Sequence, residues 1–105
     1  MFKIEENSQN EIKITGEFDA SQAEIVADFL EKYNITLTLD FEELSYISSM
    51  GLGILVKNYH RLNGAGHKII LKNLNDHIKD VFKYTRLDQL FVFDEQKWIR
   101  LLFII

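Results

Sequence analysis

The chain has 105 residues, enough for one hydrophobic core and too few for two. Hydrophobic residues make up 47% and aromatic residues 12%, which excludes a disordered segment, and a net charge of −4 with scattered Lys and Arg argues against a nucleic-acid partner. Zero cysteines exclude disulfides, thiolate metal sites and cysteine nucleophiles together.

In chain order, Phe2 and Ile4 alternate with Lys3 and Glu5, and Ile12 and Ile14 with Lys13 and Thr15. Asn7-Ser8-Gln9-Asn10 supplies turn residues between them, so residues 2–16 are predicted to form a β-hairpin closed by Gly16. No apolar signal-peptide core stands in the first residues, Met1-Phe2-Lys3-Ile4-Glu5-Glu6, so the expected location is the cytoplasm. Asp19 or Ser21 is placed to cap a helix whose apolar face is Ile25, Val26, Phe29, Leu30 and Tyr33. Residues 35–40 are β-branched and alternating, which predicts a strand ending at Asp40, and 41–47 read as a linker.

Ser48-Ser49-Met50-Gly51 then heads a helix with Leu52, Leu55, Val56, Tyr59 and Leu62 on one face. A serine in that position offers its hydroxyl oxygen to a free N–H of the first turn. The same free N–H groups and the positive end of the helix dipole favour a phosphate there. Asn63-Gly64-Ala65-Gly66 stops this helix, and residues 67–71 form a fourth predicted strand. Asn73 or Asn75 opens a helix with Leu74, Ile78, Val81 and Phe82 inward, and residues 90–93 read as a short fifth strand. Alternating strands and helices call for an α/β fold: a mixed sheet of four or five strands, begun by the hairpin and flanked by helices.

The tail at 94–105 is expected to be a last helix laid against the sheet and packed on the domain, the alternative being a homodimer or larger assembly through the same residues. Its most apolar stretch, 98–105, is eight residues interrupted by Arg100, too short to span a bilayer and too apolar to stay in water.

Catalytic chemistry finds no footing. His60, His67 and His77 lack metal-ligand spacing, Gly51-Leu52-Gly53 is neither a phosphate-binding loop nor a full dinucleotide fingerprint, and no nucleophile elbow occurs. No catalytic, metal or cofactor residue is therefore assigned. What remains is a polar patch where two loops, 16–21 and 48–51, precede helices on the same side of the predicted sheet.

Gly16-Glu17-Phe18-Asp19-Ala20-Ser21-Gln22-Ala23, Leu39-Asp40-Phe41, and Leu44 through Leu55 with Ser48-Ser49-Met50-Gly51-Leu52-Gly53 at its centre resemble, in order and spacing, the STAS domains of bacterial anti-anti-sigma factors. The resemblance runs on through Gly66-His67-Lys68-Ile69-Ile70-Leu71 to Phe93. It implies a regulatory domain without catalysis of its own, acting as an anti-sigma factor antagonist. Its implied partners are an anti-sigma factor that is also a serine kinase, and a serine phosphatase that resets the domain. Phosphorylation of a serine at the head of the second helix would end the capture.

The commonest family pattern puts the acceptor directly before the glycine, where this chain has Met50. Ser49 is accordingly the first candidate acceptor and Ser48 the second. Asp19, Ser21, Ser48, Ser49, Met50, Gly51 and Leu52 are the expected partner-binding residues, although Leu52 also fits the inward stripe. The competing reading is a constitutive scaffold or sensory module that binds a protein or small ligand without a phosphate switch.

Overall fold

The computed structural model describes residues 1–8 and 10–94. Strands β1 (Lys3–Ser8) and β2 (Glu11–Phe18) form the antiparallel hairpin. A 3₁₀ turn (Ala20–Gln22) leads into helix α1 (Ala23–Glu31), followed by β3 (Leu37–Asp40), β4 (Leu44–Ile47) and α2 (Ser49–Gly64). Then come β5 (Ile69–Lys72), α3 (Asp76–Tyr84), a second 3₁₀ turn (Leu87–Gln89) and β6 (Val92–Asp94). The sheet order is β1-β2-β3-β5-β6, with every pair after the hairpin parallel, and β4 lies off this path against β2.

The α/β architecture and hairpin start agree with the expectation, but the described residues form six strands. The extra one is β4, which the sequence presents as linker. Only Leu44 and Ile47 of it are buried, so it shows no period-two alternation. Its existence depends on β2, which does not end at Gly16 but continues to Phe18. Gly16 adopts φ 92°, and a Cβ there would stand 1.7 Å from the Met1 carbonyl oxygen. Glycine at this point lets β2 bend, so that Glu11–Lys13 pair with β3 and Gly16–Phe18 pair with β4. The Gly16 N–H donates to Glu43 O at 2.8 Å, and Ser45 Oγ donates to Gly16 O at 3.0 Å, which pins the change of partner.

Successive parallel strands advance in one direction across the sheet, from β2 to β3 to β5 to β6. Right-handed crossovers then place the connecting helices on one face. Ile12, Ile14, Leu37, Leu39, Ile69 and Leu71 project from that face into a core shared with Val26, Leu30, Leu52, Leu55, Leu62, Ile78 and Phe82. Phe91 and Phe93 meet Phe82 edge-on, with centroids 5.6 and 6.0 Å apart, and seal the core under α3. Ile25 departs from the expected helix face: it is 55% exposed, because α1 turns Ala23, Val26 and Leu30 inward instead.

The opposite face of the sheet is largely polar. Glu5, Lys13, Asp40, Lys72 and Asp94 stand in register on adjacent strands, so charge alternates across five strands. Lys72 also pairs with Glu11, and Lys13 with Glu43 at 3.0 Å. Asp40 is buried between the two lysines, its Oδ1 accepting from Glu42 N and Asn73 Nδ2, each at 3.0 Å. Asn73 therefore serves β3 rather than capping α3, a role that falls to Asn75, whose Oδ1 accepts from Ile78 N at 2.8 Å. Asp94 closes β6, and the helix expected to follow it lies outside the described residues.

Candidate functional site

The C-terminal ends of β2 and β4 lie side by side, and the loop that leaves each one enters a helix. Ser48 is the N-cap of α2: in an extended conformation its Oγ accepts from Gly51 N at 3.1 Å. Its own N–H donates to Phe18 O at 2.9 Å, tying the start of α2 to the end of β2. The two loops singled out in the sequence thus meet.

Ser49 is the first helical residue and is exposed, and among the described residues its hydroxyl has no hydrogen-bond partner. No acidic side chain belongs to the first turn of α2, so no residue of the helix itself offsets the positive end of its dipole.

Met50 is 56% exposed beside Ser49, whereas Gly51 and Leu52 turn inward. A Cβ on Gly51 would approach Phe18 O and Ile47 Cγ1 to 3.0 Å each, so the absent side chain is what lets α2 sit this close to β2. Leu52 is part of the core. Neither Gly51 nor Leu52 offers a side chain to a partner in this conformation; the inward stripe, which the spacing allowed for Leu52, decides its place. Tyr46 on β4 and Ile25 on α1 are exposed apolar residues that the motif reading left out. The break in alternation at β4 and the misread face of α1 concealed them.

In the other loop Asp19 caps the 3₁₀ turn Ala20–Gln22, not α1 itself, whose N-cap is Gln22 and makes no side-chain cap bond; Ser21 caps neither. Asp19 Oδ1 accepts from Ser21 N at 2.9 Å and Ser21 Oγ at 2.5 Å, while Gln22 Oε1 accepts from Asp19 N at 3.1 Å, a reciprocal capping box. The Ser21 hydroxyl, and then its backbone N–H, hold the Asp19 carboxyl below its ordinary pKa. The loop accordingly presents a fixed negative charge next to the head of α2.

A second polar device lies further along α2, and no sequence motif announced it. Arg61 reaches back to the C-terminus of α1, donating from Nη1 to Tyr33 O at 2.8 Å and from Nη2 to Leu30 O at 3.0 Å. Nη2 also donates to Oδ1 of the buried Asn58 at 3.1 Å, and Asn58 Nδ2 donates to Ile54 O at 2.9 Å. The last turn of α1 carries no basic residue of its own, so Arg61 supplies a cation to that dipole from the neighbouring helix. This fixes α2 against α1 and with it the position of the serines.

Among the described residues no group of three or more His, Cys, Asp or Glu could hold a metal ion, and no helix is long and apolar enough to cross a membrane.

A family model, STAS domain, matches residues 3–100. The chain is 33% identical over 84 residues to the anti-sigma-B factor antagonist of Listeria monocytogenes, covering 76% of this chain and 74% of that protein. The crystal structure of the Thermotoga maritima protein tm1081 superposes with a TM-score of 0.74 at 18% identity, covering 94% of this chain and 91% of that one. SpoIIAA from Bacillus, in its phosphorylated form, gives 0.66 at 22% identity, covering 97% of this chain and 99% of that one.

Proposed function

This chain belongs to the STAS domain family, and from that premise we propose that it is an anti-sigma factor antagonist whose capture of its partner is ended by phosphorylation of Ser49. The observation that carries this reading is the exposed Ser49 hydroxyl, without a hydrogen-bond partner among the described residues, at the positive end of α2 and next to exposed Met50. Ser48 is the second choice because its Oγ already serves as the helix cap. A phosphate on Ser49 leaves that cap in place.

The partner is an anti-sigma factor with serine kinase activity, and a serine phosphatase returns the domain to its binding state, both in the cytoplasm. Met50, with Asp19 and Ser21 at the rim, contacts the anti-sigma factor. A phosphate adds about −1.5 to −2 charges at pH 7, which the α2 N-terminus tolerates within the domain. At a closed interface the same charge faces desolvated partner groups and the fixed Asp19 carboxylate. Reversing a two-state ratio from 1:99 to 99:1 takes about 5.5 kcal/mol of differential affinity, within reach of a doubly charged group buried at a contact.

A second reading, a constitutive scaffold or sensory module, is favoured by Met50 at the position the family usually gives to the acceptor. Incubation with the cognate kinase and ATP, followed by mass spectrometry, and pull-downs with Ser49→Ala and Ser49→Asp separate the two. The switch predicts phosphate on Ser49, retained capture by Ser49→Ala and lost capture by Ser49→Asp. No phosphate on either serine, with equal capture by both variants, leaves only the constitutive module.

A further inference from the structure

The chain has no cysteine and two methionines, so its only sulfur atoms are the thioethers of Met1 and Met50. Met1 is 96% exposed at the terminus. Met50 is the second residue of α2, stands outside the core cluster and is 56% exposed beside Ser49. The turn that follows leaves it uncovered. Side chains on a helix lean toward its N-terminus, so residues three and four positions later lie over a given side chain. For Met50 these are Gly53 and Ile54. Gly53 has no side chain, and a Cβ there would meet nothing within 4 Å; Ile54 is half-buried and packed against the core.

We propose that Met50 is a reversible oxidation site through which hydrogen peroxide ends capture of the anti-sigma factor. The inference rests on the reading that Met50 contacts that partner, and it does not require phosphorylation of Ser49. Peroxide is the sole co-reactant of the forward step. The sulfur lone pair attacks one peroxide oxygen and the O–O bond breaks. The departing hydroxide takes the proton from the transferred oxygen, leaving a sulfoxide and water. Sulfur is oxidised and peroxide is reduced, each by an electron pair. A methionine sulfoxide reductase reverses the step: a pair of thiols supplies the electrons and becomes a disulfide, while the oxygen leaves as water.

The product puts a polar, chiral side chain where a flexible apolar one stood. In the free domain this disturbs no packing, because the Met50 side chain already faces solvent and belongs to no part of the core. At a closed contact the sulfoxide oxygen is desolvated against a surface that fitted a thioether, which weakens capture by about ten- to a hundredfold. The position that the family usually gives to the acceptor hydroxyl thus answers to peroxide in this chain.

The test is brief peroxide treatment of the full chain, stopped with catalase while oxidation is partial. The mixture is then passed over the immobilised anti-sigma factor of the same organism, and bound and unbound fractions are mapped by mass spectrometry. Sulfoxide at Met50 is expected to concentrate in the unbound fraction, while sulfoxide at Met1 divides evenly and serves as the internal standard. The urea midpoint should not move, and the two sulfoxide reductases, one for each epimer, should restore capture. Met50→Leu, whatever its untreated affinity, should lose none of it on the same treatment. Equal sharing of Met50 sulfoxide between the fractions overturns the proposal, as does a Met50 that stays reduced while Met1 reacts. A lowered urea midpoint also overturns it, by assigning the lost capture to unfolding. Absence of capture before any peroxide is added refutes the antagonist reading and this inference with it; capture that survives oxidation of Met50 refutes this inference alone.

Discussion

Gly51 and Gly53 lie two residues apart in the same helix, and alanine should affect stability oppositely at the two positions. At Gly53 an added Cβ meets nothing within 4 Å. Alanine there gains the helix-propensity difference, about 0.8–1.0 kcal/mol, chiefly by restricting the unfolded chain. At Gly51 the same methyl would stand 3.0 Å from Phe18 O, 3.0 Å from Ile47 Cγ1 and 3.3 Å from Phe18 Cδ1. Favourable carbon contacts begin near 3.5 Å. Phe18 O cannot yield freely, because it accepts the Ser48 N–H at 2.9 Å within the β2–β4 junction. Overpacking of this kind costs about 1–3 kcal/mol, so Gly51→Ala should come out between roughly neutral and 2 kcal/mol destabilising. The two variants should therefore differ by about 1–3 kcal/mol despite identical chemistry. Urea denaturation reads this as a raised midpoint for Gly53→Ala and an unchanged or lowered one for Gly51→Ala, with the same slope. Equal stabilisation by both substitutions would refute the close approach of α2 to β2 that sets the serines in place.

Two further outcomes follow from the polar devices around the site. Arg61→Met removes the cation that ties α2 to the carbonyls of α1 and leaves Asn58 Oδ1 without that donor. It should destabilise the domain by about 2–3 kcal/mol, the scale for hydrogen bonds from a charged group, and Arg61→Lys should recover only part of this in the same urea assay. Loss below about 0.5 kcal/mol, the level of an ordinary surface change, would show that the contacts contribute nothing net. Asp19 has a folded pKa below its ordinary value of 3.8, so its contribution to stability is present above that pH and is lost as pH falls through the folded value. Asp19→Asn should flatten the stability–pH profile below about pH 4 and leave its shape near neutrality unchanged; an unaltered acid limb refutes the assignment.

Much of the site was legible because capping is a local matter. Adjacent serines before an apolar stripe specify a helix start through backbone N–H groups within three residues, and Ser48 forms that cap; Asp19 also caps, but on the 3₁₀ turn that precedes α1 rather than on α1 itself. Strand β4 was not legible, since a four-residue strand with only its two ends buried has no pattern of its own. Arg61 looked like any exposed helical cation. Its partners lie 28 and 31 residues away in the chain, and no local signal links them. Ile25 was assigned inward from periodicity, yet α1 packs through Ala23, Val26 and Leu30, a rotation that only its neighbours impose.

The sequence by itself determined the α/β class, the hairpin start, the capped helices and the serine pair at the head of α2, because periodicity and capping act over a few residues. Tertiary structure alone decided that β2 changes partners at Gly16, that Gly51 lets α2 close on Phe18, and that Ser48 becomes the cap while Ser49 is left exposed. Those outcomes depend on which strand ends lie side by side, and that is settled by packing of the whole core.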